Sequence, residues 1–130
     1  MANYEYVGCF LDYGELSEKV KDLRRDPLQN DKRNPHVTFE YMPAVVNEAL
    51  FGQEILVTIV GYGNNGENEG LQVSLSSDNA IIDGMIRRID RPHVTLAVSD
   101  SGQAVNTKFL DFYRVEPIRI VGHYGGHIDE

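Results

Sequence analysis

At 130 residues the chain is long enough for one domain that buries roughly two-thirds of its unfolded surface, with no need of a disulfide framework or structural metal. Its 20 acidic residues against 12 basic ones give a net charge of −8, which argues against broad binding to long duplex nucleic acid, where phosphates must be neutralised. A single cysteine, Cys9, forbids an internal disulfide, and no apolar run reaches the length of a membrane span, so no membrane partner is expected.

Residues 4–11 alternate apolar and polar like a half-buried strand, and within them Cys9 reads as a small core hydrophobe. The start, Met1 to Tyr6, has no basic stretch followed by an apolar core, so no secretory signal is expected and a cytoplasmic location is the default. Leu16, Val20 and Leu23 fall at helical spacing within residues 14–25, and Pro27 ends that helix. After a polar stretch, residues 36–41 read as a strand closed by Pro43, and residues 44–50 as a short helix. Two β-rich runs, 54–62 and 71–76, flank a Gly- and Asn-rich spacer, 63–70, that predicts a long hairpin tip. Residues 79–88 fit either a strand or a short helix, and 93–99 form another strand. Residues 104–112 are weakly helical, 117–124 make a last strand, and Gly125-Gly126 with the acidic end is expected to fray. Strands outnumber helices and no crossover helix is visible, so the expected class is α+β: one domain, 1–130, of antiparallel sheet with outer helices.

One tetrapeptide occurs twice. Pro35-His36-Val37-Thr38 runs into Phe39, and Pro92-His93-Val94-Thr95 runs into Leu96, 57 residues on. In an extended strand His36 and Thr38 share one face while Val37 and Phe39 take the other, and the second copy behaves alike. Each segment thus buries two apolar groups and presents one imidazole and one hydroxyl. Brought together, two imidazoles and two hydroxyls make an acid–base pair with a holder for an oxyanion. The repeat suggests a pseudo-two-fold arrangement of two small lobes. Lys32 and Arg33 before the first copy, and Arg87, Arg88 and Arg91 before the second, form either a basic rim for an anionic substrate or ordinary solvated turns.

These paired His-apolar-Thr-apolar segments resemble the motifs of the two-histidine (2H) phosphoesterases, which include 2′,5′-RNA ligase-like proteins and cyclic phosphodiesterases. The stretch 91–124 is similar in layout to the cyclic phosphodiesterase domain of fungal and plant transfer-RNA ligases. The resemblance implies two pseudo-symmetric lobes with an active-site cleft between them, and a metal-independent phosphodiesterase that needs no cofactor. Its expected substrate is a nucleotide or RNA-end phosphodiester, above all a 2′,3′-cyclic phosphate opened to the 2′-phosphate. Cyclic oligonucleotides, 2′,5′-linked signals, and a non-catalytic nucleotide-binding module stay open as alternatives. His36 is then the general acid and His93 the base, with Thr38 and Thr95 on the non-bridging oxygens and Arg91 and Tyr124 touching substrate.

Tyr4, Tyr6, Phe10 and Tyr124 fit either a stacking surface for a base or core packing. Lys108 and Gln103 either reach phosphate or ribose or lie in solvent. His123 and His127 lie four apart around Gly125-Gly126, a poor helix, with no Cys pair or carboxylate spacing beside them, so no metal site is expected there. A third reading, a metal hydrolase using His36, His93 and His123, is the one chelation would test.

Overall fold

The computed structural model describes residues 3–128. Six strands form one sheet in the order β2-β1-β6-β3-β4-β5, every neighbouring pair antiparallel: β1 Tyr6–Phe10, β2 His36–Tyr41, β3 Glu54–Asn64, β4 Asn68–Ser76, β5 His93–Val98 and β6 Tyr113–His127. Helices are few: α1 Tyr13–Val20, α2 Ala80–Ile86, and two 3₁₀ segments at Glu48–Leu50 and Ala104–Phe109. This is the sheet-rich α+β class expected. The sheet curls until its edge strands, β2 and β5, face one another, so it is nearly closed.

Alternation writes the core. Val7 and Cys9 on β1, Ile55, Val57 and Ile59 on β3, Leu71 and Val73 on β4, and Ile120 and Tyr124 on β6 are all buried together. Asp12 caps α1 by accepting from the Glu15 N–H at 2.8 Å, and Asn79 caps α2 through the Ile81 and Ile82 N–H groups. Leu16, Val20 and Ile82 then press from these helices onto the core. Burial pushes the Cys9 thiol up to about 12, so the residue is an inert hydrophobe as read from sequence.

The structure differs from the sequence reading in several elements: α1 ends at Val20, short of residue 25, and the last strand, β6, begins at Tyr113 and runs to His127. Residues 44–50 yield only the 3₁₀ turn Glu48–Leu50, capped by Asn47. The spacer is no long tip: β3 and β4 pair through Gly63↔Gly70 and Asn64↔Glu69, and Asn64 and Asn65 side chains cap the short turn. Gly125 and Gly126 do not fray, because they pair with Gly8 and Val7 of β1. The acidic residues Asp129 and Glu130 lie outside the described residues.

A buried ion cluster straps the two sheet edges together. Glu69 on β4 is wholly buried and accepts from Arg24 Nε at 2.7 Å, Arg24 Nη2 at 2.7 Å, Tyr62 Oη at 2.6 Å and the Leu28 N–H at 3.0 Å. The same guanidinium donates to Asp31 at 2.9 and 3.2 Å, and Tyr13 Oη adds a bond at 2.7 Å. Asp31 bridges to Ala97, and the next residue, Lys32, donates its N–H to the Leu96 carbonyl at 2.8 Å. The segment leading into β2 is thereby tied to β5.

Candidate active site

Each repeated tetrapeptide becomes the start of an edge strand, and the two copies are built alike. His36 and Thr38 alternate with the buried Val37; His93 and Thr95 alternate with the buried Val94. Thr38 pairs with Gly8 on β1, and Thr95 with Gly70 on β4. The residue after each threonine, Phe39 or Leu96, is an unpaired bulge, since Glu40 pairs with Val7 and Ala97 with Glu69. Glycine is required opposite Thr95: a Cβ on Gly70 would collide with the Thr107 side chain, which packs there.

The imidazoles are held by one device used twice. His36 Nδ1 lies 2.8 Å from the Asn34 carbonyl, and His93 Nδ1 lies 2.9 Å from the Arg91 carbonyl. A carbonyl oxygen only accepts, so in both rings Nδ1 carries the hydrogen and Nε2 is the nitrogen left for chemistry. Among the described residues neither Nε2 has a hydrogen-bond partner. Arg91 holds its carbonyl in place at φ 54°, a left-handed conformation uncommon for a side chain of its size.

His36, Thr38, His93 and Thr95 all line one cavity of about 660 Å³. Burial is the main reason both imidazoles titrate below their ordinary 6.5. For His36 the Asn34 carbonyl opposes that fall, the His127 and His93 charges add to it, and Glu5 works against it. For His93 the Arg91 carbonyl opposes it and Lys108 adds to it. Neighbouring positive charge thus adds to the fall at both rings: His127 and His93 outweigh Glu5 at His36, and Lys108 acts at His93.

The two hydroxyls also differ. Thr95 Oγ1 donates at 2.9 Å to Oγ1 of the buried Thr107, which also accepts from Asn68 Nδ2 at 3.0 Å; Asn68 is fixed in turn by donating to the Gln103 carbonyl at 2.7 Å. Thr38 has no such support among the described hydrogen bonds. Both threonines line the cavity.

Other candidates separate clearly. Tyr6 lines the cavity and lies between two imidazoles, with ring centroids 4.4 Å from His36 and 5.0 Å from His127, both stacked. Tyr124 does not line it: on β6 it pairs with Cys9 and turns to the core, packed against Phe39 and Phe51. Tyr4 packs on Phe51, and Phe10 on Tyr6 and His36. Arg91 contributes its carbonyl to His93, while its side chain lines a smaller neighbouring cavity. Lys32, Arg33, Arg88 and Lys108 line the main cavity with the carboxylates Glu5, Glu40 and Asp90. Gln103 acts only through its carbonyl on Asn68. His123 is exposed and away from the cavity, whereas His127 reaches it; among the described residues no three His, Cys, Asp or Glu side chains are grouped to hold a metal ion.

No protein-family model and no curated protein matches this chain. Among the described residues no helix is long and apolar enough to cross a membrane.

Sequence reasoning passed over Thr107 and Asn68, which carry no motif and acquire meaning only when the 104–109 turn packs behind β5. His127 was detectable: strand alternation through Gly125-Gly126 puts it on the same face as Tyr6, with which it pairs.

Proposed function

We propose that the chain is a metal-independent phosphodiesterase of the two-histidine type, opening a nucleotide or RNA-end 2′,3′-cyclic phosphate to the 2′-phosphate. The observation that carries this reading is the duplicate anchoring of His36 and His93 by backbone carbonyls, with both rings and both threonines on one cavity. In this reading the curled sheet comprises two pseudo-symmetric halves, β2-β1-β6 and β3-β4-β5, and the cavity is the cleft between them.

The chemistry is a paired acid–base transfer across one phosphorus. Lys108 disfavours a proton on His93, so neutral His93 takes one from the attacking water, whose oxygen forms the new bond to phosphorus. His36, the acid in this assignment, donates through Nε2 to the 3′ oxygen as its bond to phosphorus breaks. The two roles exchange one proton and leave a 2′-phosphate and a free 3′ hydroxyl. Thr38 donates its O–H to a non-bridging oxygen, Thr95 turns its O–H from Thr107 to do the same, and phosphorus is kept in line between the rings.

The test is a substrate panel read by product mass, with and without a chelator: nucleoside 2′,3′-cyclic phosphates, 2′,5′-linked and cyclic dinucleotides. Hydrolysis to the 2′-phosphate that survives chelation is expected. Failure to hydrolyse any of them would sink the proposal, and stoichiometric binding without turnover would make the chain a nucleotide-binding module instead.

A second prediction concerns the bond behind Thr95. Thr107→Val keeps the shape of the side chain and removes the hydroxyl that orients Thr95. It should lower kcat about tenfold with KM little changed, less than the loss of a direct oxyanion donor. Thr107→Ser should restore the rate in steady-state kinetics.

A further inference from the structure

Beside the main cavity lies a second of about 270 Å³, lined by Gln72, Arg91, Lys108, Asp111 and Phe112 among others. The Lys108 side chain lines both, so it stands in the wall between them. Arg91 and Lys108 share one support: the Arg91 guanidinium carbon lies 5.6 Å from the centroid of the exposed Phe109 ring, and Lys108 Nζ lies 5.1 Å from it. Cation–π attraction holds both charges there. Among the described residues neither cation has a carboxylate within 4.0 Å, and Asp111, though it lines the same cavity, pairs with neither. Two like charges gathered on one ring repel each other, and in a chain of net charge −8 carboxylates were available to neutralise them. The arrangement is suited to an anion that arrives from outside.

Its position says which anion. The Arg91 carbonyl is the group that anchors His93, so the residue that carries the guanidinium is placed beside the proposed base. We infer that Arg91 and Lys108 form a second phosphate seat, which takes the phosphate next to the scissile one and makes a phosphorylated or oligomeric nucleotide the preferred substrate over a nucleoside cyclic phosphate. The substrate claim rests on the function proposed above; the seat itself does not.

The experiment compares a nucleoside 2′,3′-cyclic phosphate with a dinucleotide that ends in the same cyclic phosphate. The dinucleotide should show a kcat/KM about tenfold higher, the scale of one charge-assisted contact. Its rate should also fall more steeply with salt, by a log–log slope of roughly 0.7 per phosphate held. Arg91→Gln and Lys108→Gln should each shrink the preference ratio, and Asp111→Asn should enlarge it. Equal kcat/KM for the two substrates in the unaltered protein, or a ratio untouched by Arg91→Gln, would overturn the seat. If neither substrate is hydrolysed, the phosphodiesterase reading falls and the seat is judged by binding alone. A thymidine dinucleotide with and without a 5′-phosphate is then titrated against the histidine ring NMR signals. Tighter binding of the phosphorylated form, lost in Arg91→Gln, supports the seat; equal binding removes it.

Discussion

His36→Ala and His93→Ala are each expected to lower kcat by about 10²- to 10⁴-fold, the usual contribution of a positioned acid or base. Circular dichroism should stay native, because both side chains stand at a cavity wall and are not part of the core. The pH dependence follows from the depressed imidazole pKa values. Catalysis needs one ring protonated and the other neutral. Since burial holds both below their ordinary 6.5, the free protein carries that form most abundantly on the acid side of 6.5. The kcat/KM profile should therefore be bell-shaped with its maximum below 6.5. A bound phosphate anion favours the imidazolium, so the kcat profile should peak at higher pH than that of kcat/KM. Loss of one limb in each alanine variant would assign the roles. A flat profile, or two variants as active as the parent, would defeat the two-imidazole scheme.

The largest effect on stability is expected at Arg24. Its guanidinium serves Glu69, which is wholly buried, and Asp31, which is partly so. Arg24→Ala strands a buried carboxylate and should cost about 3–5 kcal/mol of unfolding free energy, measured in urea. Arg24→Ala combined with Glu69→Gln should recover part of it, since no buried charge then lacks a partner. A loss under about 1 kcal/mol would put the cluster in the class of exposed pairs. Chiefly the Arg24 hydrogen bonds, and also Tyr13 Oη, hold the Asp31 carboxyl below its ordinary value of 3.8. Asp31 thus contributes stability that is present above that value and lost as pH falls through the folded one, and Arg24→Ala should remove this acid-side dependence. Activity should fall too, because the cluster ties the segment entering β2 to β5 and so sets His36 against His93.

The strands were legible because alternation is local: residues 36–41 are a strand with the bounds the sequence predicts, and β5 ends one residue short of it. The 44–50 segment was not, because its apolar residues lack a partner surface at helical spacing and only Leu50 is buried. Sequence also brought His36, Thr38, His93 and Thr95 forward together, through nothing more than a repeated tetrapeptide. It could not place Tyr124, whose direction depends on the register of β6 against β1, nor separate the carbonyl of Arg91 from its side chain. Buried partners such as Thr107, Asn68 and Glu69 are polar residues whose burial depends on chain segments far away in sequence, and no local pattern announces that.

The bulges at Phe39 and Leu96 have an effect outside the cavity. Both interrupt the edge strands of the sheet, where unsatisfied main-chain groups in an unbroken edge offer a straight template to a strand from another molecule. At Leu96 the freed carbonyl is already taken by Lys32. The kinks that follow the two threonines therefore also guard the molecule against edge-on self-association, and straightening either one would invite fibrous growth as well as misaligned side chains.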